Sequence, residues 1–403
     1  MFNTILSLAL KNAFLRKIRA SLLVLMIAVS MSVMLSIEGL YDGMTASMID
    51  KSLRSDSGEI TIFEKNYRLK QDVKYSIKNA TSIKEEIEKL DDVKSVVTRL
   101  KVSGLAGSAK ASYPSDLIAV DFKDEEKFGE FSEFIKEGNL KLGKNGCVIG
   151  KKLAKNLKLR LNSKVIFTSR DANNNIVSKL FRIKAIVQST NINIDNKAIL
   201  APKKSVYKHL GLDPNSATQI AIRTDNPKLV ETIKTKYTNL DVMSFWQYNP
   251  LLTQMQDSMV IFNSITFGIV MGVVFIGILG VMYVSILDRI REFGIMLSVG
   301  YGYRYIRTQV MLEALTLGLI GFIFGSILSV IFLYYLRVYG LDMSEFSDGF
   351  ASFGMSSILY AEIKFSYFYS TFFAIMIASV LSVFLPLRKI KKLTPTDVIR
   401  NSL

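Results

Sequence analysis

The sequence predicts an α-helical membrane domain of four transmembrane helices in a one-plus-three arrangement, joined to a large α+β extracytoplasmic domain of two subdomains. Three observations predict it. Half of the 403 residues are hydrophobic, and the excess is gathered into four blocks rather than spread evenly. A long charged stretch of mixed α/β patterning separates the first block from the second. Lys and Arg cluster at alternating ends of successive blocks, which puts them all on one side, as on the cytoplasmic side of membrane helices.

A bilayer core takes about 20 mostly apolar residues in a helix. Residues 20–37 carry no charge and are bracketed by Arg19 and Glu38; the first span is expected over 20–41. The other spans are expected over about 258–287, 314–336 and 366–387. The second run is the longest, about 45 Å as a helix against a core of about 30 Å, so it should project beyond the bilayer as a stalk. Residues 39–53 can continue the first helix outward in the same way. Gly268, Gly272, Gly277 and Gly280 in the second span are small enough for close helix packing. The apolar block at 20–37 continues through Met34, Leu35 and Ile37, beyond the faint cleavage-like Ala28-Val29-Ser30, and so reads as a span rather than a signal peptide.

Lys11, Arg16, Lys17 and Arg19 precede the first span. Arg289, Arg291, Arg304 and Arg307 lie between the second and third, and Arg388, Lys389, Lys391 and Lys392 follow the fourth. The segment between the third and fourth is acidic, with Asp342, Glu345, Asp348 and Glu362. Both termini are therefore expected in the cytoplasm, with residues 42–257 outside; long translocated domains are exempt from the charge rule. Residues 1–19 read as an amphipathic helix on the inner surface, with Phe2, Ile5, Leu6, Ala9, Ala13 and Phe14 near one face.

The net charge of +16 is distributed among many Asp and Glu, and no basic run is interleaved with aromatics, which argues against nucleic acid. One cysteine, Cys147, rules out an intrachain disulfide and argues against a Cys-based metal site; one histidine, His209, cannot build a His cluster. In the 42–257 domain, 59–63, 93–100, 116–121, 164–169 and 180–187 read as strands, with a turn-rich loop at 171–175. Residues 81–90 and 227–237 read as helices, and 147–157 as a short strand followed by a helix. Gly146-Cys147-Val148-Ile149-Gly150-Lys151-Lys152 approaches a phosphate loop but is one residue short, with Lys where Ser or Thr should bind magnesium. No catalytic or metal-binding constellation stands out elsewhere. The chain is expected to be no enzyme of its own and to bind no cofactor directly.

The most informative segment follows the second span: Asp288-Arg289-Ile290-Arg291-Glu292-Phe293-Gly294-Ile295-Met296-Leu297-Ser298-Val299-Gly300. It predicts a short helix over about 289–300, ended by Gly300. Its apolar residues Phe293, Ile295, Met296, Leu297 and Val299 are too many for a free loop and should rest on the bilayer or a partner. Arg291-Glu292-Phe293-Gly294, then Leu297-Ser298-Val299-Gly300, then Glu313-Ala314 and Gly318, resembles the hallmark of FtsX-like, type VII ABC transporter permeases. That family includes the MacB-type exporters and the lipoprotein-releasing permeases. The closing Leu393-Thr394-Pro395-Thr396-Asp397-Val398-Ile399-Arg400 and the outer Val148-Ile149-Gly150 are similar to the family too. Phe293, Ser298, Val299 and Tyr301 depart mildly from its usual pattern. Trp246 and Asn249-Pro250-Leu251, with Gly340-Leu341-Asp342-Met343-Ser344, lean toward the lipoprotein-release branch.

The resemblance implies a MacB-like periplasmic domain at 42–257 and an FtsX-like permease domain at 258–403 in the inner membrane. It implies that Arg291, Glu292, Phe293, Gly294, Leu297 and Gly300 form a coupling helix for a separate ABC ATPase, through which ATP acts. It also implies a second, identical or related permease, and work on lipoproteins, or on an exported drug, peptide or other periplasmic substrate with a periplasmic adaptor, or a part in metal uptake.

Overall fold

The computed structural model describes residues 17–189, 191–346, 349–350 and 355–391. The amphipathic helix expected before residue 17 and the closing motif after residue 391 lie outside them. The chain divides into two compact units: a helical one (Met1–Met44, Asp257–Asp342, Ile358–Leu403) and an α/β one (Thr45–Gln256, Met343–Ser357).

Four helices among the described residues are long and apolar enough to cross a membrane. They are α1 (Lys17–Ser52), α9 (Pro250–Asp288), α11 (Tyr303–Val338) and α12 (Phe365–Lys391). The first two are longer than their apolar runs. At 36 and 39 residues they measure about 54 and 58 Å. α9 starts at Pro250, where a missing N–H costs nothing, and its first turns (Thr253, Gln254, Gln256, Asp257) are too polar for hydropathy to include.

Within the helical unit one apolar core runs from Leu23, Ile27 and Met31 through Ile278, Met282 and Ile306 to Ile375 and Val383. Glycines that allow close approach lie on α1 (Gly39, Gly43) and α11 (Gly321, Gly325) as well as at Gly277, one of the four α9 positions the sequence picked out. A Cβ on Gly321 would meet Ile27 at 2.9 Å, and one on Gly325 would meet Met31 Sδ at 2.8 Å. Gly268, Gly272 and Gly280 of α9 have no such neighbour; Gly277, against Met26, does. α1 is also tied to α12 and to the segment before it. Gly39 O accepts the Glu362 N–H at 2.8 Å, and Asp42 accepts from Lys364 Nζ at 2.5 Å and from the Tyr367 hydroxyl.

The α/β unit is built on a mixed ten-stranded sheet. Its strands are β1 (Ile60–Glu64), β2 (Val93–Gly107), β3 (Ser112–Val120), β4 (Ile135–Gly138), β5 (Gly146–Gly150), β6 (Lys164–Arg170), β7 (Ile176–Val187), β8 (Ala198–Pro202), β9 (Gln219–Thr224) and β10 (Leu240–Ser244). The order is β10-β1-β9-β2-β3-β8-β5-β7-β4, with β6 bridging β2 and β7. Helices α2 (Ala80–Ile87), α3 (Phe122–Gly129), α4 (Lys151–Asn156), α5 (Ile192–Lys197), α6 (Lys203–Leu210), α7 (Leu229–Lys236) and α8 (Phe245–Tyr248) belong to the same unit, with a single helical turn at Tyr67–Lys70. The two-part division is visible in the cores. One is formed by Ile60, Ile62, Ile87, Val96, Ile220, Ile222, Ile233 and Val242. The other centres on Leu100, Cys147, Ile149, Val165, Phe167, Phe181 and Ile183. The 15-residue β2 serves both with its two halves.

The expected helix at 81–90 is α2, and its spacing of Ile83 and Ile87 is the reason it forms. The short strand and helix expected over 147–157 are β5, which is fully buried, and α4. A Cβ on Gly146 or Gly150 would run into the backbone of Leu142 or of Ile194 and Asp195, so these glycines serve packing rather than phosphate. Burial pushes the Cys147 thiol up to about 12.

Candidate coupling surface

The short helix expected at 289–300 is α10 (Ile290–Ser298), between α9 and α11. Its end is set by Gly300 at φ +95°, where only glycine is unstrained. Gly300 N–H donates to Leu297 O at 3.1 Å and Tyr301 N–H to Met296 O at 2.9 Å, the paired bonds of a Schellman cap.

Its beginning is held by charge. Arg19 of α1 pairs with Asp288, the last residue of α9. Arg289 donates to Glu292 Oε2 at 3.2 Å and to Glu313 Oε2 of α11 at 3.0 Å. The Arg289 guanidinium also lies over the Phe293 ring, 5.1 Å from its centroid. Glu313 and most of Arg289 are out of solvent, so this pair is held by geometry that a surface pair lacks. Below the helix, the Tyr303 hydroxyl donates to Leu387 O of α12 at 3.1 Å.

The six residues singled out by sequence fall on different sides. Phe293 is fully buried in the helical core, Gly294 is buried beside it, and Leu297 packs partly against the same core. These three anchor α10 to its own unit. Arg291 and Glu292 face outward, and Gly300 is an exposed terminus. The apolar residues divide the same way: Ile295 is 55% exposed and Val299 73%, whereas Met296 packs inward. Arg291, Glu292, Ile295 and Val299 recur at the three-to-four spacing of one helix face. Tyr301, Arg304 and Arg307 continue that exposed surface.

Sequence reasoning did not single out Arg289 as a clamp. Its partner Glu313 lies 24 positions away, and no spacing rule joins them. The surface offers exposed apolar side chains rimmed by both charges, which suits docking rather than bond-making. Among the described residues no three His, Cys, Asp or Glu side chains come together as a metal site. His209 is half-hidden, with Nε2 buried, and burial followed by the nearby Lys179 charge lowers its pKa, as for a structural imidazole.

The family described as FtsX-like permease C-terminal matches residues 264–395, which include α10. The MacB-like periplasmic core domain family matches residues 20–240, more than half of the chain. A curated relative is the lipoprotein-releasing system transmembrane protein LolC of Buchnera aphidicola subsp. Schizaphis graminum, 23% identical over 265 residues. That match covers 64% of this chain and 66% of the relative, just under two thirds of its length. Among solved structures, the periplasmic region of MacB from Actinobacillus actinomycetemcomitans is 17% identical, with a TM-score of 0.32, covering 50% of this chain and 91% of that one. The extracellular domain of the noncanonic ABC-type transporter YknZ from Gram-positive bacteria is 13% identical, with a TM-score of 0.32, covering 46% of this chain and 98% of that one.

Proposed function

This chain belongs to the FtsX-like permeases that carry a MacB-like periplasmic core domain, and from that premise we propose that it is the permease subunit through which a separate ABC ATPase drives movement of the α/β unit. The observation that carries the reading is α10: clamped by Arg289 and Phe293 on one side, it presents Arg291, Glu292, Ile295 and Val299 on the other. An ATPase seated there would move the helix without unfolding it. ATP enters through that partner only. The termini and α10 are cytoplasmic, the α/β unit is periplasmic, and a second permease completes a dimer in the inner membrane.

The work done is release of lipoproteins from the outer leaflet of that membrane. The likeness to LolC supports this substrate class. The MacB-like core supports a second reading, export of a drug, peptide or other periplasmic substrate through an adaptor. Gentle purification from native membranes, with identification of what accompanies the chain, separates the two. An ATPase with mature lipoproteins is expected. An ATPase with an adaptor or outer-membrane channel would replace the first reading with the second. Loss of the ATPase in an Arg291→Glu/Glu292→Lys variant that keeps its fold is the expected control; full association in that variant would remove α10 as the docking surface.

A further inference from the structure

The α/β unit contains a buried charged cluster that the docking surface does not use. α1 does not simply stop at Ser52. It runs on as a π turn over Leu53–Ser57, and Ser55, Asp56 and Ser57 are buried. The chain then turns at Gly58, at φ +58°, into β1.

Asp56 is 2% exposed and meets three elements. Its Oδ1 accepts from Lys101 Nζ at 2.8 Å. Its Oδ2 accepts from the Tyr248 hydroxyl at 3.3 Å. Its carbonyl accepts from Arg99 Nη1 and from Gln219 Nε2. Arg99, also 2% exposed, spends its other nitrogens on Glu125, with both bonds at 2.6 Å. Lys101 and Arg99 are alternate residues of β2, Gln219 begins β9, and Tyr248 ends α8. One residue on, Asn249 Nδ2 donates to Ser57 Oγ at 3.4 Å.

Topology explains why these groups meet. β1 and β10 are antiparallel neighbours, with Ile60 opposite Ser244. The end of the first long helix and the start of the second are therefore attached to adjacent strand ends. Ser244 and Gln247 form a capping box that fixes α8, and Tyr248 stacks on Phe63 of β1, 5.5 Å between centroids. A carboxylate placed at this point with no partner would be costly to bury; with Lys101, Tyr248 and the Arg99 charge around it, it becomes a directional tie.

We propose that Asp56 is the pin of a rigid joint that fastens the outgoing end of α1, the incoming end of α9 and strand β2 into one body. A displacement of either helix then enters the sheet at Arg99 and Lys101. This goes further than the coupling reading and rests on it for its purpose, but the joint itself is testable without any ATPase.

The test uses the whole chain in lipid nanodiscs with spin labels at Ala46→Cys and Gln256→Cys, both at exposed positions. The Tyr248→Phe/Asn249→Ala variant removes the two direct links and leaves Asp56 paired with Arg99 and Lys101. A single narrow distance distribution in the parent, broadened in that variant, is expected. Hydrogen exchange should rise at least tenfold at residues 53–57 and 245–249 in both this variant and Asp56→Asn, while β5 and β7 keep their protection. A distribution and exchange pattern unchanged in both variants would overturn the joint. So would uniform loss of protection through β5 and β7, because the cluster would then be ordinary core. Failure to find an ATPase would sink the coupling reading and leave these distances as they are.

Discussion

Phe293 and Ile295 are two positions apart and have opposite fates. Phe293 is fully buried and Ile295 is half in solvent. Phe293→Ala should therefore lower the thermal midpoint of the purified chain, by a loss of about 3–5 kcal/mol, and loosen α10. Ile295→Asp should leave the midpoint within a degree or two and weaken ATPase association at least tenfold. A thermal scan beside a pull-down separates the outcomes. Cys147 gives a second prediction at this scale. Its thiol, raised from 9.0 to about 12 by burial, stays protonated in the fold. Alkylation at pH 8.5 should be absent from the native chain and fast in denaturant. By linkage, this contribution to stability is complete below about pH 9 and is lost as pH climbs toward about 12. Cys147→Ser should flatten that alkaline decline. The short helix and its cap were legible in the letters 291–300, because helix period and cap both act locally. Which side faced out was not, since it depends on Arg289 meeting Glu313 across the fold.

Elements were legible where a period is local. α2, α7, β6 and β7 follow from spacing and turn chemistry, whereas β4, β8, β9 and β10 went unassigned. Those four are short, and β8 and β9 are buried almost throughout, so no alternation marks them. Their partners are also remote: β1 pairs with β9 and β10 from the far end of the unit. The long helices were read as spans, and the outward continuation of α1 through residues 39–53 was read too, whereas the polar first turns of α9 were not. Gly58 is the element-scale position to test. At φ +58° a Cβ would fall inside contact distance of Ile222 O, so Gly58→Ala should destabilise the α/β unit by about 1–3 kcal/mol. Urea unfolding followed through Trp246 would read this as a lowered midpoint.

At the scale of the molecule, the division into two units was visible as a shift from unbroken apolar blocks to mixed patterning, while the mixed sheet order was not. Non-local pairings have no signature in a single sequence. The α/β unit holds its own cores, which predicts that residues 59–248 alone will express as a soluble domain. Its circular dichroism should show mixed α/β content and its unfolding a cooperative transition. Aggregation without a transition would show that the flanking helices are needed for folding.

The pairing of Ile60 with Ser244 has a consequence for how such chains can change over time. Because the strand that enters the α/β unit and the strand that leaves it lie side by side, everything between them is a closed excursion from one point. Insertions and exchanges inside a loop whose ends already touch leave the flanking chain where it was. The membrane helices can then stay constant while the cassette between 60 and 244 is lengthened, trimmed or replaced, and the substrate served is free to diverge from the machinery that moves it.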